Sequence, residues 1–192
     1  MKTIPNLVLA SLSSAVFLLA SCDPAKEFQA ELKSIDSCLV ELDSIDQLYQ
    51  GIEFDSLVYM VAHILDNEEK IKKYYVSDTI DNNLGMYMNN CKGVRKSFKD
   101  LKGNQTKFAE EIAALDTQFT NLKTDILNGV FDKEEVKLYL ATEMDALELF
   151  SLKFYSFYTN QKMQSAVFYD ASPKVDEYVE KLVIPETDVI PL

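Results

Sequence analysis

Apolar residues from Ile80 to Ile126 recur with alternating spacings of four and three residues, and Gln105 is the one polar position in the series. This period of seven residues per two helical turns is repeated more than six times. It is typical of a coiled coil and restricts the segment to long amphipathic helix. Gly103 and Asn104 could end a helix in the middle of the pattern. However, a chain that reversed there would have no reason to keep the same spacing of apolar residues after the turn. One glycine inside a helix costs only about 1 kcal/mol. We therefore predict one long, kinked helix over about 78–128, with a hairpin at Gly103 as the alternative.

The clearest helix boundary in the chain follows this segment. Asn128 and Gly129 are typical of a helix that ends in the left-handed conformation. Asp132 and Glu135 have the spacing of a capping box, in which each residue satisfies a free backbone N–H of the other. The sequence therefore predicts a helical hairpin that turns at 128–132.

Two further helices are predicted before the long one. Apolar residues at helical spacing predict a helix over about 26–49 and a second that begins at Asp55 or Ser56 and ends near Tyr75. Gly51 lies between them. Since both helices have one apolar face, we expect each to pack against the rest of the bundle.

The C-terminal part is predicted to contain a separate short helix. The hairpin's second helix is expected to end near Tyr169, because Ser172-Pro173 is typical of a new helix start. The short helix would end near Leu182, and 183–192 would form an extended tail. With five glycines, five prolines and no tryptophan, the composition points away from a turn-rich β protein. The predicted fold class is all-α, an antiparallel helical bundle forming one elongated domain over 22–182.

We interpret each helix boundary as a reversal between antiparallel neighbours. With turns near residues 52, 77 and 130, the last helix would begin in a two-helix arm tipped at the hairpin and end inside a four-helix cluster near the membrane. Its middle part is apolar on all sides, as burial on several sides requires. The aromatic residues there are Phe150, Phe154, Tyr155, Phe157 and Tyr158. They are interpreted as core, with a surface for a partner or an apolar ligand as the alternative.

The same arrangement bears on the two cysteines of the bundle. It places Cys38 and Cys91 at similar heights on helices that run parallel, so that a disulfide is geometrically feasible. Exported proteins meet the oxidising conditions in which disulfides persist. Two separate buried thiols are the alternative.

The N-terminal residues carry a targeting signal. Residues 1–21 combine Lys2, an apolar stretch and small residues before a cleavage site, which is typical of a secretory signal and too short for a membrane span. The run Leu19-Ala20-Ser21-Cys22 resembles the lipobox of bacterial prolipoproteins. This resemblance implies that 1–21 are removed and that fatty acyl chains, palmitate among them, attach Cys22 to the inner or outer membrane of the cell envelope, the outer being favoured.

The mature part resembles uncharacterised coiled-coil lipoproteins of Gram-negative bacteria. The likeness covers about 60–150 and is carried by Asn-Leu-Lys-Thr-Asp-Ile-Leu-Asn-Gly at 121–129 and Phe-Asp-Lys-Glu-Glu-Val at 131–136. This resemblance implies a helical hairpin but no particular activity.

Charge and residue pattern exclude several function classes. Without residues 1–21 the chain has 18 basic and 31 acidic residues, a net charge of −13, which argues against binding to nucleic acid or to anionic lipid by the folded body. The single histidine, His63, has no second histidine with which to form a metal or catalytic site. We predict no catalytic, metal-binding or cofactor-binding residue.

The sequence therefore predicts an anchored envelope lipoprotein that acts as a structural or protein-binding module and is not an enzyme. Its partners would be the membrane, through Cys22, and another protein or a second copy of the chain. A helical bundle that binds a small apolar ligand between its helices is the alternative function.

Overall fold

All regular secondary structure in the described residues is helical, which confirms the all-α prediction. The computed structural model describes residues 23–77, 79 and 81–183. The signal segment, Cys22 and residues 184–192 of the predicted tail lie outside them. The described part contains six helices: α1 Pro24–Glu27, α2 Gln29–Gln50, α3 Phe54–Tyr74, α4 Asn82–Ser97, α5 Leu101–Leu127 and α6 Lys133–Val183.

Helices α1, α2 and α3 follow one another along a single path that runs in the same direction as α6. Three side-chain contacts advance along both segments together: Glu41 with Ser151, Phe54 with Phe157, and His63 with Asp176. The chain therefore does not reverse near residue 52, and this prediction is wrong. Ile52 and Phe54 are both buried. Because the connection between α2 and α3 packs on the core in this way, the chain continues in the same direction. Helix α3 begins at Phe54, without a side-chain cap, and not at Asp55 or Ser56 as predicted.

Helices α4 and α5 form the second path, which runs antiparallel to α6. The Lys174 ammonium lies 4.9 Å from the centre of the Tyr87 ring, and the Phe108 and Phe154 rings are 5.5 Å apart. The chain leaves helical geometry at 98–100 and then continues in the same direction, with Gly103 inside α5. The predicted single helix over about 78–128 is therefore wrong, because the segment forms two helices, α4 and α5, that are separated at 98–100. The expected continuation in one direction is confirmed, and the hairpin at Gly103 is excluded.

The apolar series that predicts this path forms its buried seam. Ile80 lies outside the described residues, Tyr87 is partly buried and Gln105 is exposed. The remaining members are buried: Leu84, Cys91, Val94, Phe98, Leu101, Phe108, Ile112, Leu115, Phe119, Leu122 and Ile126. Because Phe98 and Leu101 are both in the core, the phase of the pattern survives the break between the helices.

The hairpin between α5 and α6 forms through the predicted local chemistry. Gly129 has a φ of +68°, a conformation that favours glycine. The Asp132 carboxylate accepts hydrogen bonds from the backbone N–H groups of Glu134 and Glu135, at 3.0 and 2.9 Å. The Glu135 carboxylate accepts one from the N–H of Asp132, at 3.0 Å. This reciprocal pair is the capping box.

Helix α6 continues through Pro173 to Val183, so the predicted separate short helix is wrong. A proline inside a helix removes one backbone hydrogen bond and costs about 3 kcal/mol. The residues around Pro173 offset this cost because Ala171, Val175 and Val179 are buried in the segment of α6 that packs against α4. Packing therefore overrides the local helix-breaking signal.

The described residues form a three-helix bundle along their whole length, and the predicted four-helix cluster with a two-helix arm is wrong. Helix α2 packs against α5 and α6, whereas α3 packs against α4 and α6. A Cβ atom built on Gly129 would lie 3.9 Å from Cγ of Pro24. The hairpin tip and the start of α1 therefore lie at the same end of the bundle, opposite to the predicted arrangement.

Candidate functional site

The aromatic residues of α6 belong mainly to the core. Phe150 and Phe154 are buried, Phe157 and Tyr158 are partly buried, and Tyr155 is exposed over 39% of its surface. The Phe108 ring of α5 lies 5.5 Å from Phe154 and 5.2 Å from Phe157. These aromatic residues thus fill the space between α5 and α6, and Tyr155 is the exposed one of the five.

The opposite side of α6 is uncovered and carries exposed apolar side chains among polar ones. The sequence indicates burial on several sides in this region, but a three-helix bundle covers only one side of α6. Large apolar side chains are therefore exposed along it: Met144, Leu149, Leu152 and Met163. Large apolar side chains exposed close together along one helix are typical of a binding site.

Part of this surface lines a groove between α2 and α6 with a volume of about 810 Å³. We refer to it as the α2–α6 groove. Its apolar residues are Met144, Leu147, Leu152, Tyr155 and Met163 from α6 and Cys38 from α2. It is a channel open to solvent and not the closed cavity that a site for a small apolar ligand would predict.

The charges that line the α2–α6 groove are all negative. They belong to Glu41, Asp145 and Glu148, and neither lysine nor arginine is among the lining residues. The Glu41 carboxylate accepts a hydrogen bond of 2.8 Å from the Ser151 hydroxyl, which joins α2 to α6 within the groove. A second groove, between α5 and α6 and of about 510 Å³, differs in that two lysines line it.

Cys38 and Cys91 are separate, free and buried thiols, which is the second of the two alternatives. Cys38 lies in the groove beside Ser151, and burial followed by the charge of Glu41 raises its pKa. Burial also raises the pKa of Cys91 to about 11, with further contributions from Asp176 and Glu68. Ser151 marks the height of Cys38 on α6, and Asp176 marks the height of Cys91. These two residues are separated along α6 by about 37 Å at 1.5 Å per residue. The expected similarity in height of the two cysteines is therefore wrong, and a disulfide would need a rearranged bundle.

A polar cluster, which we call the His63 cluster, joins α3 to α6. His63 Nε2 lies 2.8 Å from a carboxylate oxygen of Asp176, and the Asn67 side-chain amide donates to the same oxygen at 2.5 Å. Asn67 is only 4% exposed. The His63 ring also packs against Tyr59 and Phe168, with ring centres 5.7 and 6.0 Å apart.

The sequence singles out His63 as the one histidine but does not indicate its partners. Asp176 is 113 residues away, and no local pattern indicates which carboxylate would face the ring. Asn67 carries a usable signal, because it lies three residues after the buried Ile64 and a polar residue in a helical seam often fixes the register of the packed helices. The arrangement can perform this role for α3 and α6.

The described residues contain neither a metal-binding group of side chains nor a helix that could span a bilayer. Within 23–77, 79 and 81–183, no three His, Cys, Asp or Glu side chains are grouped so that they could hold a metal ion. None of the described helices combines the length and the hydrophobicity needed to span a bilayer. No protein-family model, curated protein or solved structure matches the chain.

Proposed function

We propose that this chain is an envelope lipoprotein whose helical bundle binds another protein through the α2–α6 groove. The observation that carries the proposal is the set of exposed apolar side chains on the uncovered side of α6, where Leu152 is 64% exposed. Leaving such side chains in water forgoes about 1.5–3 kcal/mol each compared with burying them. A partner that covers them would recover this free energy.

Membrane attachment through Cys22 is the second part of the proposal. The lipobox resemblance of Leu19-Ala20-Ser21-Cys22 supports it, and acyl chains contribute about 0.8 kcal/mol per buried methylene. Mass spectrometry of the N-terminal peptide from native membranes should show an acylated Cys22, and Cys22→Ser should abolish the modification. An intact leader, or a Cys22 without lipid, would refute the anchor.

Site-specific photo-crosslinking in cells tests the binding function. A photoreactive phenylalanine analogue at Tyr155, in the groove, should form a discrete crosslinked product with a protein. The same analogue at Tyr74 of α3 is a matched control, because Tyr74 is 40% exposed and Tyr155 39%. Equal crosslinking at both positions, or none at either, would contradict a protein-binding groove.

A binding site for a small apolar ligand is the second candidate function. The groove volume of about 810 Å³ lies within the range of ligand sites, although such sites normally enclose most of the ligand. An apolar fluorescent probe should then gain fluorescence on mixing with the purified protein, and Leu152→Glu should remove this gain. A probe signal that Leu152→Glu leaves unchanged would argue against the ligand site.

A further inference from the structure

The length of the α2–α6 groove suits an α-helix. The lining residues of α6 extend from Met144 to Met163, a distance of about 28 Å at 1.5 Å per residue. Leu152 and Tyr155, three residues apart between these ends, project from one side of α6 as the ridge of a helix packing surface. An added helix of about 18 residues would lie along α6 between Met144 and Met163, beside Cys38 and Glu41 of α2, and would add a fourth helix to this level of the bundle.

The charges of the groove select the kind of helix. Glu41, Asp145 and Glu148 line it without a basic residue, and the whole chain has a net charge of −12. A helix with lysine or arginine beside its apolar stripe would meet complementary charge, whereas an acidic helix would be repelled. The same charges oppose a second copy of this chain and an anionic membrane surface as occupants.

The apolar side chains of the groove suit a partner helix of this kind. Met144 and Met163 at its two ends are both exposed, and methionine is unbranched and polarisable, so that it adapts to different apolar surfaces. Tyr155 adds a rigid aromatic side chain at the centre, of the type enriched in binding hot spots.

We propose that the α2–α6 groove binds a basic amphipathic helix of a partner protein. This inference rests on the proposed protein-binding function and specifies the chemistry of the partner. Binding would bury the apolar stripe of the partner helix against Leu152 and Tyr155, while its basic residues would lie beside Asp145 and Glu148.

Two synthetic peptides of about 18 residues test the proposal, since shorter helices are only marginally stable in water. Both carry the same stripe of leucines at helical spacing, one with lysines and the other with glutamates on its polar side. Fluorescence anisotropy with the purified protein should show binding of the lysine peptide at least tenfold tighter than that of the glutamate peptide, with a difference that decreases as salt is added. Equal affinities, or no binding of either peptide, would overturn the proposal.

Two sets of variants locate the binding site. Leu152→Glu should weaken binding of the lysine peptide about tenfold or more, because the apolar contact is lost. Leu138→Glu is the matched control, since Leu138 and Leu152 are both 64% exposed on α6 and Leu138 lies outside the groove. Both variants add one negative charge. If the lysine peptide bound only by unspecific electrostatic attraction, both variants would bind it more tightly than the parent protein does. This result would overturn the proposal.

The acidic residues are tested in the same way. Asp145→Asn with Glu148→Gln should weaken binding of the lysine peptide about threefold to tenfold. Glu177→Gln with Glu180→Gln removes the same charge from exposed positions of α6 outside the groove and should have little effect. Equal effects of the two pairs would contradict a site at the groove.

The remaining outcomes separate this inference from the proposed function. Crosslinking from Tyr155 in cells, without binding of the lysine peptide, would retain the binding function and refute the basic helix. A dimer in light scattering that Leu152→Glu dissociates would identify a second copy as the occupant. Binding to phosphatidylglycerol vesicles that depends on Leu152 would identify a lipid surface. Either of the last two results would overturn the proposal.

Discussion

The stability effect of Phe154→Ala tests the division of the α6 aromatic residues between core and surface. Phe154 is 0% exposed and its ring lies 5.5 Å from that of Phe108. Its immediate neighbour Tyr155 is exposed. The two adjacent residues therefore differ in environment while sharing one helix and one local sequence, which makes Tyr155→Ala a matched control.

The magnitude follows from the burial. An aromatic side chain buries roughly 150–250 Å², which at about 25 cal/mol per Å² corresponds to about 4–6 kcal/mol. Measured Phe→Ala substitutions in cores cost about 3–5 kcal/mol. We therefore expect Phe154→Ala to lower the free energy of unfolding by about 4 kcal/mol, a large part of the roughly 5–15 kcal/mol typical of a domain. Tyr155→Ala should lower it by about 1 kcal/mol.

Urea unfolding followed by circular dichroism measures both variants. The transition midpoint should decrease strongly for Phe154→Ala, with the same dependence on urea concentration as the parent protein. A double-mutant cycle with Phe108→Ala should give a coupling of about 0.5–1.5 kcal/mol for the ring pair. If Phe154→Ala cost no more than Tyr155→Ala, the packing of α5 on α6 described above would be refuted.

Two further substitutions test the Cys91 environment and the proline of α6. Burial raises the pKa of Cys91 to about 11, whereas an unfolded thiol ionises near pH 8.5. As the pH rises, the unfolded state therefore loses this proton before the folded state does. The free energy of unfolding should then fall between about pH 9 and pH 11. Cys91→Ala should lack this component in urea unfolding at pH 7, 9 and 11, and a difference between the two proteins that does not change with pH would contradict it. Pro173→Ala should raise the free energy of unfolding by about 1–3 kcal/mol, because it restores a backbone hydrogen bond while losing part of the proline's restriction of the unfolded chain. A lower free energy of unfolding for Pro173→Ala would show that the proline ring is needed for packing.

The parts of the fold that depend on repeated or strictly local patterns could be predicted. The seam from Leu84 to Ile126 is buried as its spacing predicts, because burial of a helix face follows directly from periodicity. The hairpin at 128–132 was predictable because the capping box of Asp132 and Glu135 involves neighbouring residues.

The direction of the chain at residues 51–53 could not be predicted in this way. A glycine indicates that a helix ends but carries no information on where the next helix goes. Here the direction depends on the burial of Ile52 and Phe54, which is a property of the assembled bundle. The predicted reversal near residue 52 therefore gives the wrong height for the helix that contains Cys38, and with it the wrong expectation that Cys38 and Cys91 lie at similar heights.

The candidate site was only partly predictable. The sequence shows that α6 is apolar on several sides near Leu149 and Leu152, but whether a further helix of this chain covers them depends on the topology. The pairing of His63 with Asp176 also depends on the packing of α3 on α6, which no local pattern specifies.

The parallel courses of α1–α3 and α6 have a consequence for where binding takes place. The 51 residues of α6 span about 77 Å at 1.5 Å per residue, and Pro24 lies beside Gly129 at one end of this length. An acyl anchor on Cys22 would hold that end at the bilayer, so the middle of the groove would stand about 30 Å above the lipid headgroups when the rod is upright. A partner embedded in the same membrane would then need an extramembrane segment of at least this reach.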